Sequence, residues 1–146
     1  INLINKTRLL MNNFFSKYKF IFYFCNFILI FLYLFPGSIL GWLFYNNLSQ
    51  QPQITPDFSF SNLKISTNHI YAFLVFSIIG FFSYKKLNQL KVLSTYLISL
   101  SIILEILHLI IPLRTFQFSD LFGNLLGVLI ILILFYFFKK NENFKT

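Results

Sequence analysis

Four long apolar segments, separated by short polar stretches, dominate the sequence and limit the folds open to it. They run from Phe20 to Phe35, from about Asn68 to Tyr84, from Val92 to Ile111 and from Leu121 to Phe138. A bilayer core about 30 Å thick needs roughly 20 residues of apolar helix, with about 17 as the practical lower limit. After Pro36-Gly37, residues 38–45 either continue the first helix or lie at the interface. The pattern predicts an all-α fold, an integral membrane bundle of four transmembrane helices.

The composition excludes most soluble classes of protein. Of the 146 residues, 57% are hydrophobic and only 11% are charged, which is too apolar for an ordinary soluble domain. The net charge of +8 does not indicate nucleic acid, because the basic residues lie at the ends of apolar segments rather than in a stripe with interleaved aromatics. Cys25 is the single cysteine, so neither a disulfide framework nor a cysteine-based zinc site is expected. The lipid bilayer is the predicted partner.

Lysine and arginine predict an orientation, because they mark the cytoplasmic side of short loops. Three clusters fall on one face: Lys17 and Lys19 before the first segment, Lys85, Lys86 and Lys91 between the second and third, and Lys139, Lys140 and Lys145 after the fourth. The alternate loops hold only Lys64 and Arg114. Both termini are therefore expected to be cytoplasmic, with the 46–67 loop and the 112–120 turn outside. The predicted location is the bacterial cytoplasmic (inner) membrane, crossed several times.

The chain is expected to form one domain. Residues 1–17 are predicted to be a basic N-terminal segment, residues 18–140 the membrane domain, and residues 141–146 a cytoplasmic tail. The first residue is Ile1 and Met11 opens a basic flank, so one interpretation is that residues 1–10 are an upstream or alternative-start remnant. No Ala-x-Ala cleavage site follows the first apolar segment, which favours an uncleaved signal anchor. The polar, turn-rich stretch 46–67 is predicted to be a loop.

Polar side chains able to do chemistry concentrate between Glu105 and Asn124. Ionisable groups near hydrocarbon are costly unless they pair, line a wet cavity or carry function. If the third helix runs to Pro112, Glu105 lies about 10 Å below its outer end, with His108 one turn nearer the surface on the same face. The same topology places four more residues in the outer part of the bundle: His69, Arg114, Asp120 and Asn124. This convergence predicts a polar pocket open to the outer surface.

Each residue of the cluster has an alternative interpretation. Gly123 and Gly127 favour close packing of two helices over contact with a ligand. Asp120 could be an N-cap of the fourth helix, and Arg114 could clamp Glu105 or Asp120. Zinc could be bound by His69, His108 and either carboxylate, but the spacing does not demand it, so neither a metal nor a cofactor is expected.

The run Glu105-x-x-His108, Pro112-x-Arg114, Asp120-x-x-x-Asn124-x-x-Gly127 resembles the C-terminal signature of the VanZ-like membrane proteins. His69, in His-Ile-Tyr-Ala-Phe, is similar to the histidine that starts an earlier helix in that family, and Leu-Phe-Pro-Gly at 34–37 also looks similar. The family's glutamine is His108 here, and Ile65-Ser66 replaces its Asp-Lys pair. The family was first linked to glycopeptide resistance, and no biochemical activity is established for it. The resemblance therefore implies a small multi-pass cell-envelope protein rather than a reaction.

The leading hypothesis is an outward-facing pocket that binds or modifies an anionic envelope lipid or lipid-linked precursor. Glu105 and His108 are the candidate catalytic acid/base pair, and Arg114 would bind the anion. Asp120, Asn124 and His69 would complete the ligand-binding site. Whether the chain is an enzyme stays open.

The alternative is a non-enzymatic accessory or structural subunit, partnered with other membrane proteins, in which the polar cluster locks the third and fourth helices together. An ion-coupled carrier is a weaker third hypothesis, because four short helices lack the paired broken segments of secondary transporters.

Overall fold

The computed structural model describes the backbone of residues 3–84 and 87–143 and the side chains of residues 17–84 and 88–138. The predicted positions of Lys85, Lys86 and Lys145, and the side chains of Lys139 and Lys140, lie outside these described residues. The elements are α1 (Leu3–Leu34), α2 (Ile39–Tyr45), β1 (Phe58–Phe60), β2 (Leu63–Ile65), α3 (Thr67–Ser83), α4 (Leu87–Leu107) and α5 (Phe118–Asn143). The chain is mostly helical, as the apolar pattern predicts.

Three helices of the described residues are long and apolar enough to cross a membrane. These stretches are Lys17–Leu34 within α1, Asn88–Leu107 within α4 and Phe118–Phe138 within α5. The remaining apolar helix, α3, has 17 residues. At a rise of about 1.5 Å per residue it is a few ångströms shorter than a hydrocarbon core of about 30 Å. The structure thus supports membrane association by three helices, one fewer than the four predicted.

The helix ends differ from the predicted ones at the turn between α4 and α5. The prediction that α4 continues to Ile111 is wrong, because the N–H groups of His108, Leu109 and Ile110 bond to carbonyls three residues earlier and tighten the chain into a turn. α5 begins at Phe118 instead of Leu121. The N–H of Asp120 bonds to the carbonyl of Gln117, so Asp120 lies inside the first turn of α5 and is not its N-cap.

The segment predicted as a loop, 46–67, contains structure of its own. β1 and β2 form an antiparallel hairpin in which Ser59 pairs with Lys64, and Ser61 in its turn has a positive φ of 55°. Before it, α2 is a separate helix and not a continuation of α1. The side chain of Ser38 accepts a hydrogen bond from the N–H of Gly41 and caps this short helix. The fold is therefore all-α apart from this small hairpin.

The start of α3 is capped from the hairpin segment. Ser66 occupies the N-cap position but makes no capping hydrogen bond with its side chain, whereas Asp57 Oδ1 accepts from the N–H of Thr67 at 3.1 Å. Asp57 also pairs with Lys64 at 3.2 Å. Burial alone would raise the pKa of Asp57, but the Thr67 N–H and the Lys64 ammonium outweigh it and hold the pKa below its usual value. This carboxylate therefore ties the hairpin to α3.

α3 packs against each of the other long helices, and it packs most closely against α5. A Cβ atom added at Gly123 would lie 2.5 Å from the carbonyl oxygen of Ser66, and one added at Gly127 would lie 2.6 Å from that of Ile70. The two glycines thus let the backbones of α5 and α3 touch, as predicted for close helix packing. This approach brings the first turn of α3 beside the first turns of α5.

Candidate functional site

The candidate site lies at the end of the bundle where α1 and α4 finish and α3 and α5 begin, which we call the polar end. Buried polar side chains from the four long helices meet there, among them Tyr33, His69, Glu105, Asp120 and Asn124. Their positions follow from the chain, because residues 35–66 join the end of α1 to the start of α3 and residues 108–117 join the end of α4 to the start of α5. Burial of so many polar groups is stable only if they satisfy one another.

Tyr33, His69 and Asn124 form a hydrogen-bonded triangle that joins α1, α3 and α5. The Tyr33 hydroxyl donates to Asn124 Oδ1 at 2.8 Å and lies 3.0 Å from His69 Nδ1. Asn124 Oδ1 also lies 3.0 Å from His69 Nδ1. Because that oxygen can only accept, Nδ1 carries a proton. The amide nitrogen of Asn124 donates to the carbonyl of Ser101 at 3.4 Å, which extends the network to α4.

The other ring nitrogen of His69 faces Asp120. His69 Nε2 lies 3.4 Å from Asp120 Oδ2, and both side chains are about nine-tenths buried. Since Nδ1 is protonated, a neutral His69 presents its lone pair from Nε2, and a protonated His69 forms an ion pair with Asp120. Either state places the reactive edge of the ring towards the carboxylate.

Glu105 is fully buried in the last turn of α4. Its Oε1 accepts a hydrogen bond from the backbone N–H of Gln117 at 3.0 Å. Its Oε2 lies 3.3 Å from His108 Nδ1, but the ring is not directed for a hydrogen bond, and Oε2 has no hydrogen-bond partner. A buried carboxylate oxygen without a partner is unusual, because the cost of removing it from water is not repaid.

His108 is held by the end of α1. Its Nε2 lies 3.0 Å from the carbonyl oxygen of Tyr33, which can only accept, so Nε2 carries a proton. Its ring stacks on the Tyr33 ring, with centroids 5.7 Å apart and an interplanar angle of 15°. Tyr33 therefore contacts both histidines, one through its hydroxyl and one through its ring and backbone.

Arg114 lies in the connection between α4 and α5 and reaches back to α1. Its Nη2 donates to the carbonyl of Leu32 at 2.9 Å and its Nε to that of Phe35 at 3.3 Å. These carbonyls have no partner within the helix, so the guanidinium caps the C-terminus of α1. Burial lowers the pKa of Arg114, while the nearby carboxylates of Glu105 and Asp120 oppose that shift. The group stays protonated at neutral pH.

A pocket of about 170 Å³ opens beside these groups. Its polar lining comes from Tyr33, His69, His108 and Arg114, together with Ser38, Gln51 and Asn68. The remaining lining is apolar and comes mainly from α1, α2 and α3. A cationic group and two imidazoles therefore share one cavity that is open at the polar end.

All six residues predicted for the site lie at the polar end. Glu105 is beside His108, and His69 lies between Asp120 and Asn124. Arg114, by contrast, forms no ion pair with Glu105 or Asp120 among the described residues, so the predicted clamp on a carboxylate is wrong. The guanidinium bonds to backbone carbonyls because the C-terminus of α1 lies closer.

Sequence reasoning missed Tyr33 and Gln117. Tyr33 is one of eight tyrosines and ends an apolar segment, where aromatic residues are common in membrane proteins. Nothing in the sequence separates it from the others. Gln117 acts through its backbone N–H, which any residue except proline would supply.

Three of the site residues also form a set of possible metal ligands. A ring nitrogen of His69 and one carboxylate oxygen each of Glu105 and Asp120 lie within 4.8 Å of one another, and all three residues are buried.

The fold and the site define a mostly helical, membrane-associated protein with a buried polar cluster at one end of its bundle. Comparisons of the chain with protein-family models, with curated proteins and with solved structures found no match. The resemblance to VanZ-like proteins thus depends on the motif residues alone.

Proposed function

We propose that the chain is a multi-pass protein of the bacterial cytoplasmic membrane, similar to VanZ-like proteins, with four transmembrane helices and cytoplasmic termini. α3 would cross the membrane with the others because it packs against all three of them. Lys17, Lys19 and Lys91 lie away from the polar end, near the start of the apolar part of α1 and the start of α4. The positive-inside rule then directs the polar end outward.

In this orientation the pocket at the polar end binds the head group of an anionic envelope lipid or lipid-linked precursor. The observation that carries the proposal is the shared cavity of Arg114, His69 and His108. The guanidinium has five N–H groups, and the structure gives hydrogen bonds to protein carbonyls for two of them. The others are available to phosphate oxygens, for which arginine is well suited.

Glu105 and His108 are the proposed acid/base pair if the bound molecule is also modified. Glu105 Oε2 and His108 Nδ1 lie 3.3 Å apart. An imidazole beside a carboxylate can act as an acid or a base. Asp120, Asn124 and Tyr33 would fix the orientation of His69 at the pocket wall.

Lipid binding by purified protein in detergent tests this proposal. The ligand is a short-chain phosphatidic acid, and the matching diacylglycerol without phosphate is the uncharged comparison. We expect only the phosphatidic acid to bind, with affinity lowered about tenfold or more in Arg114→Gln. Arg114→Lys should be intermediate, because a single ammonium cannot bond both to the α1 carbonyls and to phosphate in the same fork geometry.

The matched control is Lys91→Gln, which removes one exposed positive charge from α4 far from the pocket. Thermal unfolding of each variant shows whether the end of α1 has stayed folded. Equal binding by wild type and a folded Arg114→Gln variant would contradict the proposal.

One observation favours the alternative of a structural subunit whose polar cluster locks helices together. The Asn124 side chain touches Tyr33 on α1, His69 on α3 and the Ser101 carbonyl on α4. In that case Glu105→Gln should lower thermal stability and abolish co-purification of a membrane partner, while phosphatidic acid binds no variant.

A further inference from the structure

We propose that His69, Glu105 and Asp120 form a binding site for a divalent transition metal ion, with zinc the best match. The site is independent of the proposed lipid binding, since it is defined by three protein ligands at the polar end. It draws one residue from α3, one from α4 and one from α5, so it exists only in the folded bundle.

The spacing of the three side chains suits a metal ion. Ligand atoms at about 2.0–2.1 Å from a tetrahedral zinc ion are about 3.3 Å from one another. His69 Nε2 and Asp120 Oδ2 are already 3.4 Å apart. Each ligand atom of the set, including that of Glu105, lies within 4.8 Å of the others. A shift of at most about 1.5 Å by the Glu105 carboxylate would complete the arrangement.

The tautomer of His69 also suits metal binding. A histidine ligand usually donates its second ring N–H to a neighbouring acceptor, which fixes the ring and directs the other lone pair at the metal. Here Nδ1 is held by Asn124 Oδ1 and the Tyr33 oxygen, both at 3.0 Å. The lone pair of the neutral ring is therefore on Nε2, on the side of Asp120.

The unpartnered oxygen of Glu105 is an independent indication of a cation-binding site. Glu105 is fully buried, and Oε2 has no hydrogen-bond partner although Oε1 has one. A second buried carboxylate, Asp120, belongs to the same cluster. Two carboxylates in a low-dielectric interior are costly without compensation. Arg114 contacts neither of them directly, and among the described residues only His69 beside Asp120 and His108 beside Glu105 lie within ion-pair distance. A divalent ion bound to a carboxylate oxygen of Glu105 would supply compensating charge and an additional bond.

The ligand set selects the class of metal. One imidazole and two carboxylates suit zinc, with manganese or iron as poorer matches, whereas magnesium prefers oxygen ligands and several waters. Three protein ligands leave one tetrahedral position open. Of the three ligands, His69 alone lines the pocket at the polar end, and a water molecule would occupy the fourth position.

Metal binding to the full chain in detergent, carrying no histidine tag, tests the inference. The protein is stripped with a chelator, and Zn²⁺ alone is added without any lipid ligand. We expect about one zinc ion per chain by elemental analysis after dialysis, and a rise in the thermal midpoint because the ion binds only the folded state. Co²⁺ should give the visible absorption of a low-coordinate nitrogen and oxygen site, and Mg²⁺ should give no shift.

The variants Glu105→Gln and Asp120→Asn keep the shape of each side chain while weakening a ligand. Each should lower zinc affinity by at least about tenfold and remove the rise in thermal midpoint. The matched control is Asp57→Asn, which removes a carboxylate from the hairpin segment and should bind zinc as wild type does. Unfolding of the stripped variants confirms that they are folded.

Two results would overturn the metal site: a stripped and reloaded wild type that holds no zinc, or folded Glu105→Gln and Asp120→Asn variants that bind it like wild type. Either would leave the contact between His69 and Asp120 as an interaction of the protein with itself. Because no lipid is present, both results are distinct from a failure of phosphatidic acid to bind.

Discussion

The two ends of the bundle are built from the same helices but are stabilised by different contacts. At the polar end, buried side chains of α1, α3, α4 and α5 bond to one another around Tyr33 and Asn124. At the opposite end, aromatic rings pack: Phe22 stacks on Phe76 with centroids 4.9 Å apart, and Phe81 contacts Phe135 at 4.8 Å. The cavity there is larger, about 500 Å³, and is lined mainly by apolar atoms.

The difference shows where this protein can tolerate change. Apolar packing at the opposite end is adjustable, because side chains can shift to fill space. The polar end depends on direct backbone contact and on hydrogen bonds with fixed directions, so a small displacement leaves buried groups without partners. Four comparisons test this contrast. In each, the effect of one substitution is measured against a matched variant, the wild type or a second pH.

The largest effect is expected for alanine at Gly123. Its Cβ would meet the carbonyl oxygen of Ser66 at 2.5 Å and the Cβ of His69 at 2.9 Å, both of which are fixed by α3. We expect a loss of about 3 kcal/mol in the free energy of unfolding. Gly80→Ala is the matched change, because its Cβ would meet only side-chain atoms, of Phe22 at 3.0 Å and Leu93 at 3.3 Å.

Those side chains can move, and alanine gains about 1 kcal/mol over glycine in a helix, so Gly80→Ala should be nearly neutral. Thermal and denaturant unfolding in the same detergent measure both variants. Equal losses at the two glycines would show that the ends do not differ in this way.

The second comparison replaces asparagine by leucine at each end. Asn124→Leu removes the acceptor of Tyr33 and His69 and the donor to Ser101, and we expect a loss of about 2 kcal/mol. Asn26→Leu removes only the acceptor of Tyr96 at the apolar cavity, where an apolar side chain suits its surroundings. It should change stability by less than about 0.5 kcal/mol. The free energies of unfolding of the two variants are measured in the same detergent. An unchanged stability in Asn124→Leu would contradict a stabilising role of the network.

The third comparison is Glu105→Gln in metal-free protein, measured against wild type by unfolding. The amide keeps an acceptor for the Gln117 N–H and removes the buried negative charge of the carboxylate. We expect the variant to be more stable than wild type by about 1 kcal/mol, because a buried charge is removed. A clear loss of stability would instead support the helix-locking alternative.

The smallest effect concerns Asp57, whose pKa is lowered in the folded state. A lowered carboxyl pKa contributes stability above the unfolded value of about 3.9, and this is lost as the pH falls through the folded value. Asp57→Asn should therefore be less stable than wild type by about 0.5 kcal/mol near neutral pH. The difference should shrink as the pH falls below the unfolded value of about 3.9 and vanish below the lowered pKa of the folded state. If the difference in stability persisted at low pH, its cause would be packing and not the charge of Asp57.

Much of the candidate site was predictable, because the order of the helices along the chain fixes the end of the bundle at which each residue lies. Alternating apolar segments and lysine clusters were enough to predict that His69, Glu105, His108, Arg114 and Asn124 share one end of the bundle. The predictions were less good at helix ends. The end of α4 depends on the backbone N–H groups of residues 108–110, and the start of α5 depends on the carbonyl of Gln117, which accepts from Asp120. Asp57 as the cap of α3 was not predictable, because the hairpin brings it there from ten residues away.

The sequence by itself determined the long apolar helices and the concentration of polar residues at one of their ends, because hydrophobicity and spacing act locally along the chain. The tertiary structure decided which of those residues meet. Gly123 and Gly127 bring α3 against α5, so His69 lies between Asp120 and Asn124 and near Glu105, and Tyr33 completes the network from α1. These contacts depend on distances of 3 to 5 Å between side-chain atoms of different helices, and no pattern within a single helix encodes them.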